Sequence, residues 1–302
     1  MCPGCRRSNL KIKREKFPDS HVRRKTEAVT KTFDKTVAIT GGARGIGLAI
    51  ATALQGLGAE VAIGDIDEAT VKESGDRLGL KLCRRLDVTD RQSFTEFLDA
   101  VENQLGPIDV LVNNAGVLVV GSAVDEDDAA TRRVVDVNIL GVMLGTKLAA
   151  RRMLPRGRGH IINIGSLGSV QPAAGLATYV ATKHAVLGYT ETLRLENRGR
   201  GVHFSTIMPT LTNTEMVAGF GHTKGFKNAE PEDVARAVVG VIAKPKPRVF
   251  VPRSIGIVFS AQRFMPQPVA EAMGRALGAH RVCTTDLQTD RRKDYARRTG
   301  LS

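Results

Sequence analysis

The chain has 302 residues, 42% of them apolar and 25% charged, with no Trp and only 4% aromatic residues. That length accommodates one large α/β domain with a sizeable core and no need for metal or disulfide staples, and a core of Val, Ile, Leu and Ala suits a parallel sheet covered on both faces. The formal charge of +13 sits in the ends: residues 1–36 hold eleven Lys/Arg against four Asp/Glu and residues 253–302 nine against four, while 37–252 hold twenty-four against twenty-three. This speaks against specific nucleic-acid binding by the body and leaves the tails free to touch an anionic surface.

Residues 1–33 read as a basic, disordered tail without apolar periodicity. From Thr36 strand and helix signals alternate. Strands are expected at Thr36–Thr40, Glu60–Gly64, Lys81–Leu86, Ile108–Val112, His160–Ile164, Val202–Met208 and Arg248–Val251. Helices are expected at Ile46–Gln55, Ala69–Leu78, Ser93–Gln104, Glu126–Met153, Leu176–Asn197 and Pro231–Ala243, the last with Pro at its start. Seven short strands separated by such helices imply βαβ units: a doubly wound Rossmann fold with a seven-stranded parallel sheet and helices on both faces. The domain expected over 34–252 is followed by an extension, 253–302, with two short amphipathic helices at Ser254–Phe264 and Val269–Leu277 and then a charged end. Cys2 and Cys5 have half of a zinc spacing with no second pair, so no metal site is expected and the thiols of all four cysteines read as reduced. No stretch has the apolar character of a signal peptide or the ~20 residues of a membrane span. The expected location is cytoplasmic, with weak membrane-surface contact through the tails allowed.

Thr40–Gly47 reads TGGARGIG, with Gly41, Gly45 and Gly47 between a strand and a helix. That is the context a phosphate-binding turn requires: glycine lets the backbone approach a pyrophosphate, which then lies on the helix N-terminus. Asp65 ends the second strand, where a carboxylate accepts from ribose hydroxyls and repels a 2′-phosphate. Asp87 and Val88 end the third strand at the adenine edge, and Asn113, Asn114, Ala115 and Gly116 follow the fourth. Arg44, inside the turn, offers a partner to a 2′-phosphate. Asp65 is weighed above it, so NAD is expected rather than NADP.

Tyr179 and Lys183 are four apart on an expected helix and project from one face. A nearby ammonium favours the phenolate and lowers the tyrosine pKa toward neutrality, making it a general acid/base. Ser166 closes the fifth strand, where its hydroxyl can hold a substrate oxygen.

TGGARGIG at 40–47, NNAG at 113–116, Asn138, Ser166 and YVATK at 179–183 together resemble the short-chain dehydrogenase/reductase family, in its short single-domain branch, over about residues 35–252. The resemblance implies Tyr179 as proton donor and acceptor and Lys183 as the ligand of the nicotinamide ribose. It implies Ser166 as the group that polarises the substrate carbonyl and Asn138 as the holder of a relay water. It also implies Gly41, Gly45, Ile46 and Gly47 against the cofactor, Asp65 as selector, and Val88 and Asn114 beside the adenosine. The family's Pro-Gly after the sixth strand is here Pro209-Thr210, with Thr212 and Thr214 beyond it, Thr214 standing where a Thr meets the carboxamide. The implied reaction is hydride transfer between a nicotinamide and a secondary alcohol or ketone. A homodimer or homotetramer follows by analogy.

Leu167–Leu176 is small and largely apolar, and Glu215–Phe226 carries Met216, Val217, Phe220 and Phe226 among glycines, as a mobile lid would. A lipophilic alcohol or ketone (steroid-, retinoid- or long-chain-like) is therefore the expected substrate. Two other readings stand beside this one: a catalytically silent, dinucleotide-binding regulatory protein, and a sugar epimerase or dehydratase.

Overall fold

The computed structural model describes residues 33–220, 228–256, 268, 269, 272 and 293–301. The basic tail, the Cys2/Cys5 pair, residues 221–226 of the expected lid and most of the two helices expected after Pro252 lie outside the described residues.

The seven strands are β1 Thr36–Thr40, β2 Glu60–Asp65, β3 Leu82–Arg85, β4 Val110–Asn113, β5 Gly159–Ile164, β6 Val202–Pro209 and β7 Arg248–Val251. All pair in parallel, in the order β3-β2-β1-β4-β5-β6-β7, as the alternating sequence predicts. The order reverses between β1 and β4, and this switch point opens a crevice at the carboxyl ends of the strands.

The helices are α1 Gly45–Gln55, α2 Glu68–Leu78, α3 Arg91–Leu105, α4 Asp128–Val135, α5 Val142–Met153, α6 Ala177–Glu196, α7 Pro231–Ala243 and α8 Lys293–Thr299. Strand side chains alternate between two cores. Val37, Ile39, Val61 and Ile63 pack with Ile50 and Leu54 of α1 and Val234, Val238 and Val241 of α7. Ala38, Ala62, Leu111 and Ile161 pack with Phe94, Phe97 and Val101 of α3 and Leu148 and Met153 of α5. Every residue of β1, β4 and β5 is buried, as apolar strands covered on both faces require.

Two features depart from the expected pattern. The helix read as continuous over 126–153 contains a π-helical turn, Asp136–Gly141, between α4 and α5. Such turns widen the backbone locally and occur often at functional sites. The charged end contains α8, whose Tyr295 is buried against the body at 6% exposure. Among the described residues no helix is long and apolar enough to cross a membrane.

Candidate active site

The glycine turn is built by close approach. Gly41 has φ +64°, and a Cβ there would come within 2.8 Å of Ala115 Cα; a Cβ on Gly47 would lie 2.1 Å from the Gly41 carbonyl oxygen. The segment after β4 holds this turn from below. Asn114 Nδ2 donates to the carbonyls of Thr40 (3.0 Å) and Gly41 (2.9 Å), and the Thr40 hydroxyl accepts from the backbone of Asn114 and Ala115, both at 3.0 Å. Asn114 and Ala115 therefore shape the cradle. Gly45, with φ +50°, faces Thr214, whose Cγ2 would lie 3.1 Å from a Cβ at that glycine. Ile46, next along α1, is partly buried and packs on the first core. A cradle that any side chain would fill fits a dinucleotide pyrophosphate.

At the tip of β2 the Asp65 carboxylate accepts from the backbone N–H of Ala43 (3.1 Å) and of Asp67 (3.2 Å). Burial pushes its pKa up, opposed by those two hydrogen bonds and by Arg44. The Arg44 guanidinium pairs with Asp67 and donates to the Thr70 hydroxyl at 2.6 Å. Asp67, which also caps α2, was missing from the sequence reading. Its only signal there was its position two residues after the strand-end carboxylate. Asp87 accepts from the backbone and hydroxyl of Thr89 at 2.9 and 2.7 Å. Burial raises its pKa, but these bonds, with Arg133 and Arg85, outweigh it and the net shift is downward. Val88 is buried beneath the π-helical turn, 2.9 Å from where a Cβ on Gly141 would stand.

Past β6, Thr210 stands where the family has glycine, and its backbone stays extended along β7. Thr210 N donates to the Val251 carbonyl at 2.9 Å, continuing the β6–β7 pairing. Among the described residues no non-glycine has positive φ, so Thr210 needs no glycine-like conformation. Pro209 ends β6 fully within the sheet. Thr212 is buried and its backbone carbonyl accepts from the Thr214 hydroxyl at 3.3 Å.

Asn138, Ser166, Tyr179 and Lys183 converge beside this cradle. Asn138 lies on the π-helical turn and is fully buried. Its Oδ1 accepts from Val117 N (2.9 Å), and its Nδ2 donates to the Val117 carbonyl (2.8 Å) and the Thr182 hydroxyl (3.2 Å). A Cβ on Gly116 would sit 3.3 Å from Asn138 Oδ1 and 3.7 Å from Lys183 Nζ, which places all three around one point. Ser166 begins a short 3-10 turn and its Oγ accepts from Gly168 N at 3.1 Å. Lys183, one turn along α6 from Tyr179, is buried, with Nζ donating to the Ile164 carbonyl (3.0 Å) and 5.6 Å from the Tyr179 ring centroid.

The electrostatics correct one expectation. Burial pushes the Tyr179 phenol up to about 12, with a hydrogen bond to Ser166 working the other way. Burial also pushes Lys183 down to about 8. The nearby ammonium therefore does not bring the phenol toward neutrality in the chain itself, because the desolvation that removes water from the pair acts on both groups.

Below the site runs a buried polar ladder that the sequence reading missed. Asn113 Nδ2 donates to Thr146 Oγ1 (3.1 Å) and Asn163 Oδ1 (2.8 Å), and Asn163 Nδ2 donates to Thr190 Oγ1 (2.8 Å). It ties β4 and β5 to α5 and α6, the helices that flank the four converging residues. Asn113 and Asn163, both in strand runs otherwise apolar, were its only sequence signal.

A family model described as short chain dehydrogenase matches residues 35–225. The chain is 36% identical over 208 residues to the 2-(S)-hydroxypropyl-CoM dehydrogenase 3 of Xanthobacter autotrophicus, covering 67% of this chain and 80% of that one. It is 34% identical over 220 residues to a 3-alpha-(or 20-beta)-hydroxysteroid dehydrogenase of Mycobacterium tuberculosis, covering 71% and 79%. It is 32% identical over 259 residues to the probable oxidoreductase EphD of the same species, covering 78% of this chain and spanning 44% of the length of that relative. Among solved structures, a short chain dehydrogenase/reductase from Burkholderia phymatum in complex with NAD superposes with a TM-score of 0.70 at 25% identity, over 77% of this chain and 94% of that one. The glycine cradle, the parallel sheet and these likenesses agree, and the chain belongs to the short-chain dehydrogenase family.

Proposed function

We propose that this chain is an NAD-dependent oxidoreductase acting on a secondary alcohol or ketone, with Tyr179 as general acid/base. The observation that carries the reading is the convergence of Ser166, Tyr179, Lys183 and Asn138 at the carboxyl ends of the strands, beside a cradle open only to backbone. NAD when bound supplies and accepts the hydride. The residues that would hold it are Gly41, Gly45, Ile46 and Gly47 at the pyrophosphate, Asp65, Asp87, Val88, Asn114, Ala115 and Gly116 on the adenosine side, and Lys183, Pro209, Thr212 and Thr214 toward the nicotinamide.

The chain's own groups handle the proton. Ser166 Oγ orients the substrate oxygen toward the Tyr179 hydroxyl, which gives or takes the proton. Lys183, with a pKa of about 8, exchanges a proton near neutral pH and lies beside Asn138, which anchors the relay. Asp65 favours NAD over NADP because its carboxylate repels a 2′-phosphate, and the Arg44 guanidinium is shared with the second carboxylate of Asp67.

The substrate side supports a lipophilic compound. Leu118, Leu176, Val180, Leu211, Met216 and Phe220 form one apolar cluster around Tyr179. The hydroxysteroid dehydrogenase relative fits the same class by its name. A homodimer or homotetramer is part of this reading, checked by the solution mass.

Tyr179→Phe removes only the hydroxyl. It is expected to abolish oxidation of secondary alcohols, followed as NADH absorbance, while leaving the dissociation constant for NAD within about twofold. Unchanged turnover would refute the assignment. A wild-type chain that binds NAD yet oxidises nothing in a broad alcohol and ketone panel would instead favour the silent regulatory protein.

A further inference from the structure

The carboxyl-terminal helix α8 returns to the face where the substrate would sit. Tyr295 is 6% exposed and its hydroxyl accepts from the backbone N–H of Leu118 at 2.9 Å, across 177 residues of sequence. Leu118 follows the Asn113–Gly116 segment that braces the glycine turn. Tyr295 shares one apolar cluster with Leu118 and Leu176, and Tyr179, Val180, Leu211, Met216 and Phe220 pack against that cluster. A second tie comes from Arg298, one turn on: its Nη2 pairs with Glu215 Oε2 at 2.5 Å, and its guanidinium carbon lies 5.9 Å from the Tyr295 ring centroid. Glu215 opens the 3-10 turn Glu215–Val217 directly after Thr214, the residue that faces Gly45 of the glycine turn.

We propose that α8 is the outer wall of the substrate pocket, with Tyr295 as a specificity-determining residue and the Arg298–Glu215 pair as the tie that holds the wall against the loop after β6. This deepens the dehydrogenase reading and rests on it. Two anchors on separate segments, one a buried hydrogen bond to backbone and one an ion pair, fix the ring's position. A ring held in that way limits how large an apolar group fits beside Tyr179. The pocket's upper size is thereby set by a residue far outside the 35–225 stretch that defines the family.

The test compares 2-butanol with 2-decanol as substrates at saturating NAD, using the full chain. Tyr295→Ala is expected to raise the ratio of kcat/KM for 2-decanol over that for 2-butanol by about tenfold, since one filled or emptied apolar subsite discriminates on that order. Tyr295→Phe retains the ring and is expected to stay within about threefold of wild type. Arg298→Glu shifts the ratio the same way by about two- to fivefold, and adding Glu215→Arg returns it, as an ion pair of this exposure allows. Far-UV circular dichroism checks that each variant folds. A folded Tyr295→Ala chain with an unaltered ratio overturns the proposal. Binding of 2-butanone and 2-decanone in the presence of NADH, measured by calorimetry, needs no turnover: a selectivity that moves with Tyr295 in a chain that oxidises nothing keeps the wall and sinks the dehydrogenase reading. Selectivity that ignores Tyr295 in an active enzyme does the reverse.

Discussion

Replacing Lys183 with Met should stabilise the fold at neutral pH and destabilise it at high pH. The ammonium is held at a pKa of about 8 instead of its ordinary 10.5 because it is buried. At about 1.36 kcal/mol per pKa unit, that displacement corresponds to about 3 kcal/mol of unfavourable desolvation at pH 7. Met keeps the length and apolar stem but leaves the Ile164 carbonyl without its 3.0 Å partner, a loss of about 1 kcal/mol. The variant is then about 2 kcal/mol more stable than wild type at pH 7. Between about pH 8 and 10.5 the unfolded wild-type chain binds more protons at this lysine than the folded one, so wild-type stability rises with pH. Past that window the charge penalty is gone and only the lost hydrogen bond remains, leaving the variant about 1 kcal/mol less stable. Tyr179, at about 12, moves the other way: the stability linked to it is present below its ordinary 10.0 and is lost as pH rises through about 12. That contribution is common to both proteins. Urea unfolding followed by circular dichroism, at about pH 7 and about pH 10.5, measures the difference. A difference of one sign at both values would refute the claim that burial, and not a carboxylate partner, governs this lysine.

Gly47→Ala puts a methyl 2.1 Å from the Gly41 oxygen and 2.6 Å from Asn114 Nδ2; the start of α1 must shift, and the NAD dissociation constant should rise by about thirtyfold or more in calorimetric titration. Gly188→Ala, at an open position in α6, is the control and should gain up to about 1 kcal/mol of stability with NAD affinity unchanged. Asp67→Ala frees the Arg44 guanidinium and should raise the NADP-to-NAD ratio of kcat/KM about tenfold, at a cost of about 1 kcal/mol for the lost α2 cap; an unchanged ratio would show that Asp65 alone sets the preference. His160 is buried in β5 against Ser205 and held down to about 3 by burial, with His203 and Lys35 contributing. The stability linked to it is present above about pH 6.5 and falls by about 1.4 kcal/mol per pH unit toward pH 3. His160→Gln should flatten that acid limb of the urea-unfolding profile.

Most strands were legible because they are β-branched runs that stop at a turn signal, glycines after TVAIT and Pro209 as the last residue of β6, while β3 (LCRR) has no β-branched residue and was placed by its position between two helices. Where a strand end carries tertiary work the reading slipped. Ile108 and Asp109 read as strand, yet β4 begins at Val110; Asp109 still exchanges backbone bonds with Thr36 and His160, and its carboxylate also accepts from Thr36 N at 3.2 Å. The π-helical turn was invisible because apolar spacing runs on unbroken from α4 to α5. One widened turn changes backbone hydrogen bonding without changing which residues face the core. Tyr295 was hidden for a different reason. A single aromatic in a basic tail has no local pattern, and what buries it is a backbone N–H brought close only by the finished fold.

The placement of Tyr179 and Lys183 on one helix face was legible and their protonation was not, and the difference is physical. Spacing determines that Tyr179 and Lys183 share a helix face, since that follows from 3.6 residues per turn. A pKa depends on how much water the fold removes, which no spacing encodes. Attraction between an ammonium and a phenolate lowers a phenol, but burial opposes the charged form of both groups, and at Tyr179 burial outweighs the influences that lower its pKa. At pH 7 the chain itself holds a phenol that keeps its proton beside an amine close to its titration point. In the proposed reaction such a pair gives a proton to a carbonyl oxygen and recovers it through Lys183. Taking a proton from an alcohol requires added positive charge near Tyr179. In the proposed reaction the two directions would therefore be distinguished by the charge of the nicotinamide, positive when an alcohol is oxidised and neutral when a ketone is reduced.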